Sequence, residues 1–181
     1  MRSMKIPLFL LLTTYLSLPA WSEPRIQLEA FSSGVRVGMT GEWRGKERAE
    51  IAAAQNEVES FQIVVTARDG NLRGVEAEAT TLRGEHGEIP ADRISLYREE
   101  YVRVRYSSPR ATEAPGLFPD PLIPFRDPYS GGPVRVPQWD DERAPKNHFG
   151  AASFDLWQDQ HQPLWIDISV PEDTPAGTYS G

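Results

Sequence analysis

The sequence contains no cysteine, so no disulfide stabilises the fold and cysteine-rich secreted miniprotein frameworks are excluded. Basic clusters are also absent: 26 acidic residues outnumber 19 basic ones, which gives a formal net charge of -7. This charge balance argues against nucleic acid and anionic membrane surfaces as partners. No long stretch has a helical period, whereas several short stretches alternate between apolar and polar residues. These features together predict an all-β protein.

Residues 1–22 are predicted to be a cleaved export signal rather than part of the fold. Arg2 and Lys5 form a positively charged N-terminal region, and Leu8–Leu18 is a short apolar run. Ala20 and Ser22 are small residues at the spacing suited to cleavage by signal peptidase. The apolar run is too short to cross a bilayer comfortably, and a retained N-terminal anchor is the alternative. Cleavage would remove two positive charges and leave a net charge of -9. We therefore expect a periplasmic or extracellular protein without a membrane attachment after cleavage.

The strongest pattern in the chain predicts a central β-strand. Phe61, Ile63, Val65 and Ala67 alternate with more polar residues, so one face of this strand is predicted to be dry. The apolar Val64 on the other face indicates a central position in a sheet. The preceding stretch, 48–54, is predicted to be a weaker strand that pairs with it.

Other short strands, separated by turns, indicate an antiparallel β-sandwich in a single domain, residues 23–181. Ile26–Phe31 and Leu164–Val170 alternate clearly. Ile94–Tyr106 is the longest extended run, and its alternation slips near Glu99–Glu100, where a bulge would restore the register. The last strand begins at Thr178 and is truncated at residue 181, so we expect this chain to be the front end of a longer protein.

Residues 107–162 differ in character from the rest of the chain. This segment holds nine of the sixteen prolines and two of the five tryptophans. So long a loop inside a compact domain usually serves a site or packs on another body, and we interpret it as a long, ordered loop insertion. Four of its residues are predicted to dock on a downstream domain: Phe118, Asp120, Phe125 and Tyr129. For Asp120, capping of a turn between two prolines is the alternative.

Few residues in the chain suggest chemistry. Asp140 opens a short acidic run beside Trp139, whose ring would stack on a sugar. Trp157 is a second candidate for such stacking. For the acidic run, a solvated loop is the alternative. The three histidines, His86, His148 and His161, lack the spacing of a zinc site, so a turn or surface role is predicted for them. No nucleophile elbow or phosphate loop is present. We predict no catalytic residue, no metal and no cofactor.

Five stretches occur in a fixed order along the chain: Ala54–Gln62, Glu100–Val102, Pro119–Pro124, Trp165–Asp167 with Val170–Pro171, and Pro175–Gly181. Together they resemble the N-terminal β-sandwich of secreted proteins related to family-123 glycoside hydrolases, and the resemblance covers roughly residues 26–181. That resemblance implies a TIM-barrel-like catalytic region after the sandwich. It also implies substrate-assisted hydrolysis of an N-acetylhexosaminide by an adjacent Asp-Glu pair on that barrel, so no catalytic residue is carried over to this chain.

Two functions remain open from the sequence. In the first, the domain is a non-catalytic accessory sandwich that packs on the downstream catalytic barrel of the same chain. In the second, it is a free-standing carbohydrate-binding module that uses Trp139 or Trp157 to hold a glycan. The unfinished last strand favours the first.

Overall fold

The computed structural model describes residues 23–111, 114–138 and 147–181. Within these ranges the fold is all-β, and the one helical element is a single 3-10 turn, Ala91–Arg93. None of the described residues belongs to a helix long and apolar enough to cross a membrane. The strands are β1 (Arg25–Ser32), β2 (Val58–Arg68), β3 (Leu72–Val75), β4 (Leu82–Gly84), β5 (Glu88–Ile89), β6 (Ile94–Val104), β7 (Gly116–Pro124), β8 (Arg135–Gln138), β9 (Asn147–Gly150), β10 (Phe154–Leu156), β11 (His161–Ser169) and β12 (Tyr179–Ser180).

Five antiparallel strands form the main sheet in the order β1-β2-β11-β6-β7. The position of β2 between β1 and β11 confirms the predicted central strand. Leu164 lies opposite Ile63 and Ile166 lies opposite Phe61 in the β2–β11 pair. Because opposed residues share a face of the sheet, the alternating apolar residues of the two strands form one continuous apolar surface.

Two small sheets, β3–β10 and β12-β4-β5, pack on that surface, which we call the inner face. This second layer completes the predicted β-sandwich. Burial of each large aliphatic side chain in such a core contributes about 1.5–3 kcal/mol. One cluster contains Val65, Ala67, Leu72, Val75, Phe154, Leu156 and Leu164. The other is built on Ile89, Ile166 and Ile168, with Phe61 and Ile63 partly buried against it.

The opposite, outer face of β2 is also buried, although it carries polar residues. Gln62 and Thr66 are 1% and 0% exposed. The segment 32–41, which begins at the last residue of β1, crosses this face, and we call it the covering segment. The Gln62 amide donates hydrogen bonds to the carbonyls of Ser32 and Val35 at 3.1 and 2.7 Å. The covering segment is therefore fixed to the sheet through polar contacts, since a buried amide must find partners.

The predicted strand at 48–54 is wrong. Residues 49–54 form no strand, because β1 and β11 occupy both hydrogen-bonding edges of β2. The predicted bulge lies at the expected place but in the other strand: Glu99 pairs with Leu122 and Tyr101 with Pro119, so the extra residue belongs to β7 and not to β6.

The predicted long loop is corrected in one important part. Gly116–Pro124 forms β7, an edge strand of the main sheet that pairs with β6. The strands β8 and β9 pair with each other, and β10 joins the second layer. The prolines of β7 hide its strand character in the sequence, since proline is usually a sign of a break. An edge strand tolerates proline because one of its sides needs no ladder hydrogen bonds.

Candidate functional site

The edge of the sheet at β7 carries exposed apolar side chains, and we call it the β7 surface. Val104 closes β6 and Tyr106 follows it, while Leu117 and Leu122 belong to β7. Their exposed fractions are 37%, 89%, 37% and 39%. Leu117 and Leu122 lie opposite Arg103 and Glu99 and therefore share one face of this edge, whereas Val104, opposite Gly116, lies on the other face. Exposed apolar side chains of this kind are a feature of surfaces that meet another protein body.

A cavity of about 240 Å³ lies beside this edge, between the covering segment and the β6–β7 hairpin. Its wall is apolar where it meets Val102, Val104 and Phe118, and Arg36 and Asp120 add one charge of each sign. Ser107, Ser108, Ala111 and Ala114 complete the lining. An apolar pocket with a few polar groups is suited to an inserted side chain of a partner.

The structure brings two of the four predicted docking residues together. Phe118 and Asp120 line this cavity. Phe125 instead packs against the core cluster of the sandwich itself, so it is not free to dock. Tyr129 is 98% exposed in a turn that the Asp127 carboxylate organises by accepting hydrogen bonds from the backbone N–H groups of Tyr129 and Ser130. Those bonds lower the pKa of Asp127.

Proline determines how the β7 edge can be used. Pro119, Pro121 and Pro124 have no backbone N–H, so they cannot donate to a strand added at this edge. Addition of a partner strand is therefore disfavoured here, and contact with the β7 surface through side chains is favoured.

Trp157, a predicted sugar platform, lies on the surface just after β10 and is 51% exposed. The Arg73 guanidinium carbon is 4.9 Å from the centroid of its ring. Arg73 also forms an ion pair with Asp155, whose other carboxylate oxygen accepts the Gly74 N–H at 3.0 Å. The Gly74 hydrogen bond, followed by Arg73, lowers the pKa of Asp155. The other predicted sugar residues, Trp139 and Asp140, lie outside the described residues, and their role stays a prediction.

One titratable group was not predicted to be notable from the sequence. Glu99 is 5% exposed, one of its carboxylate oxygens has no hydrogen-bond partner, and burial raises its pKa to about 7. A pKa near neutrality is typical of general acids and bases. However, Glu99 faces the outer side of the sheet and is not among the residues that line the hairpin cavity. The only sequence signal for it was an acidic residue inside an otherwise half-buried strand.

The predicted surface role of His161 is wrong. His161 is 2% exposed at the start of β11. Its Nε2 lies 3.0 Å from the Gly41 carbonyl oxygen, which can only accept, so Nε2 donates. Its Nδ1 is 2.8 Å from the Thr66 hydroxyl. The ring thus joins the covering segment to β2, and a single histidine was indistinguishable from a surface residue in the sequence.

The described residues contain no group of three or more His, Cys, Asp or Glu side chains placed to hold a metal ion.

Comparison with known proteins gives two findings. A family model described as the glycoside hydrolase 123 N-terminal domain matches residues 41–181. Among solved structures, a family 123 glycoside hydrolase from Clostridium perfringens, reported for glycolipid glycan hydrolysis, matches with a TM-score of 0.52 and 14% sequence identity. The match covers 86% of this chain and 23% of that enzyme's chain. At this identity the likeness establishes the fold alone. Comparison with curated proteins finds no match.

Proposed function

Because this chain belongs to the glycoside hydrolase 123 N-terminal domain family, we propose that it is a non-catalytic accessory β-sandwich of an exported glycoside-hydrolase-like protein. In this proposal it packs on a downstream catalytic barrel. The matched part of the Clostridium perfringens enzyme is 23% of that chain. A protein built on the same plan has most of its length available as the partner.

The observation that carries this proposal is the β7 surface with its adjoining cavity. Exposed leucines beside a pocket with one arginine and one aspartate match the mixed polarity of interfaces between domains of one chain. The prolines of β7 favour contact through side chains, which suits the convex outside of a barrel better than the edge of another sheet.

The test is the thermal unfolding of the intact protein that contains this domain. A double change, Leu117→Glu with Leu122→Glu, introduces charge into the proposed interface and should separate one cooperative transition into two. A matched control is Ile26→Glu with Leu28→Glu, because these side chains are 56% exposed on the other edge strand, β1. The control should leave the transition unsplit. Equal effects of the two double changes would refute docking through β7.

Limited proteolysis gives a second measurement of the same contact. If the hairpin and β7 are covered in the intact protein, cleavage between Pro115 and Arg143 should occur in residues 23–181 alone and be suppressed in the intact protein. Equal cleavage in both would mean that this segment does not dock on the downstream domain.

The proposal assigns chemistry to the partner domain only. We expect the intact protein to hydrolyse an N-acetylhexosaminide, as the family resemblance implies, and residues 23–181 alone to show no turnover of an aryl N-acetylhexosaminide. Turnover by residues 23–181, lost in Asp140→Asn, would contradict the assignment.

Export is the remaining part of the proposal. Cleavage after Ser22 would leave Glu23 as the first residue of the exported protein. Mass spectrometry of the protein recovered from periplasm or medium should identify that N-terminus, and recovery of an intact Met1 there would contradict it.

A further inference from the structure

We propose that Trp157, Arg73 and Asp155 form a binding subsite for a neutral pyranose ring on the solvent side of the β3–β10 sheet. Phe154 and Leu156 of β10 point into the core, whereas Asp155 between them is exposed. Arg73 is likewise exposed in β3, between the buried Leu72 and Val75. Strand alternation therefore places the guanidinium and the carboxylate together on the outside of the second layer, beside the indole ring.

The turn that carries Trp157 is fixed before any ligand arrives. The Gln160 N–H donates to the Trp157 carbonyl at 3.0 Å, and the Gln158 N–H donates to the Asn71 side-chain oxygen at 2.8 Å. The second bond ties the turn to the β2–β3 connection, far away in sequence. A preorganised platform loses little conformational entropy on binding, which favours measurable affinity at a small site.

The ring itself offers a stacking surface. The Arg73 guanidinium lies over the indole at 4.9 Å, and Trp157 is nevertheless 51% exposed. An indole ring is flat and apolar, and its exposed surface matches the C–H face of a pyranose. The Arg73 cation fixes the ring plane through cation–π attraction.

Hydrogen-bonding groups surround the ring. Asp155 stays ionised because the Gly74 N–H and Arg73 lower its pKa, so its carboxylate accepts bonds from sugar hydroxyls. Arg73 supplies donors beside it. Gly74 has a φ of +60° and no heavy atom within 4 Å of the place where a Cβ would be. A side chain there would be strained and would fill the open space next to Asp155, whereas glycine leaves the backbone accessible.

The charged groups of the site are paired, which favours a neutral ligand. Arg73 pairs with Asp155, and Asp159, in the turn that carries Trp157, pairs with Arg68. Each of these cations is matched by an anion, so the pairs offer no uncompensated charge to an anionic or a cationic ligand. An uncharged, hydroxyl-rich ring satisfies the paired groups without separating them.

The test is a titration of the full chain, followed by calorimetry, with three tetrasaccharides: β-linked N-acetylglucosamine, β-linked glucose and an anionic uronic acid. We expect weak binding of at least one neutral tetrasaccharide and none of the anionic one. Trp157→Ala should lower the affinity for the neutral tetrasaccharide about tenfold or more, and Trp157→Phe should restore part of that affinity. Asp155→Asn should lower the affinity less, since the amide oxygen still accepts hydrogen bonds.

Tyr129→Ala is the matched control, because Tyr129 is a 98% exposed aromatic without the Arg73–Asp155 pair. Tyr129→Ala should leave the affinity for the tetrasaccharides unchanged. The midpoint of thermal unfolding, measured for every variant, shows whether that variant is folded. Absence of binding by all three sugars, preference for the anionic one, or equal loss in Trp157→Ala and Tyr129→Ala would each overturn the proposal. So would loss of Trp157 accessibility to acrylamide quenching in the intact protein. None of these results bears on domain coupling through β7, so failure here is separable from failure of the proposed function.

Discussion

The two faces of the central strand β2 are buried by different means. On the inner face, Val65 and Ala67 pack in a dry cluster between two layers of strands. On the outer face, Gln62 and Thr66 are just as inaccessible, yet they are covered by a segment that is irregular beyond Ser32. Gln62 donates hydrogen bonds to carbonyl groups of this segment, and His161 of β11 connects Thr66 to its Gly41 carbonyl. Burial alone therefore does not distinguish a core that excludes polar groups from one that is built of them.

The difference has an energetic consequence. Apolar burial stabilises in proportion to the area removed from water, whereas a buried polar group only repays its desolvation when every partner is present. The outer face is not fully paired, because one oxygen of Gln62 and one of Glu99 have no hydrogen-bond partner. We therefore expect the inner face to set most of the stability, and the outer face to make that stability sensitive to pH and to single hydrogen bonds.

The largest expected effect is on the inner face. Leu164 is 3% exposed and lies in the cluster with Val65 and Phe154. Leu164→Ala should lower the free energy of unfolding by about 2–5 kcal/mol, through lost transfer energy and the cavity that remains. Urea denaturation measures it. Leu28→Ala is the control, because Leu28 is 56% exposed on β1. A similar loss in both variants would mean that the inner face is not the main source of stability.

The next effect belongs to Glu99 and depends on pH. Burial raises its pKa to about 7 in the folded protein from an ordinary value of 4.5. The folded state therefore binds more protons than the unfolded state between these values. The free energy of unfolding should fall as pH rises through this window, by at most about 3 kcal/mol for this group.

Glu99→Gln removes the titration while it keeps the shape of the side chain. The variant should lose the Glu99 part of the pH dependence and be more stable than the parent above pH 7. The pKa of Glu100 is also raised, by burial, and Arg98 opposes the shift, so a weaker slope of the same sign should remain. Chemical denaturation at a series of pH values measures the difference. Parallel curves for the two proteins would mean that Glu99 titrates normally.

A smaller loss is expected from the hydrogen bond between Thr66 and His161. Thr66→Val replaces the hydroxyl by a methyl group and leaves the buried His161 Nδ1 without its partner at 2.8 Å. The expected cost is about 1–3 kcal/mol, the penalty for an unsatisfied buried group. Thr66→Ser, which keeps the hydroxyl, is the control. If the valine variant were as stable as the serine variant, the outer face would be held by packing and not by polar contacts.

Sequence patterns predicted the inner face well, since Phe61, Ile63, Val65 and Ala67 follow the period of a strand with one apolar side. The slip in alternation near Glu99 marked the position of a register irregularity but not its strand, because the extra residue lies in β7. The outer face was not predictable, because the partners of Gln62 are carbonyl groups of a segment about thirty residues away. Neighbouring residues in the chain contain no signal for such contacts.

The same reasoning applies to the candidate sites. Phe118, Asp120 and Trp157 were identifiable as aromatic or charged residues in an unusual segment. Their surroundings were not, since Arg73 and Asp155 meet from positions 82 residues apart. Strand β7 was missed because its three prolines resemble a break, and its role at a sheet edge depends on the order of the strands.

The smallest effect tests whether coverage makes the outer face costly to disturb. Ser60 lies on the same face of β2 as Thr66, toward the other end of the strand, and is half-buried. Its hydroxyl donates to Asp167 Oδ1 at 2.6 Å, and that oxygen also accepts the Trp165 Nε1–H. Ser60→Ala should therefore cost only about 0.5–1 kcal/mol, because the carboxylate keeps one protein donor and water can replace the other. Urea denaturation of the alanine and Thr66→Val variants side by side gives the comparison. A cost for Ser60→Ala as large as that for Thr66→Val would mean that the covering segment adds nothing to the value of the hydrogen bonds beneath it.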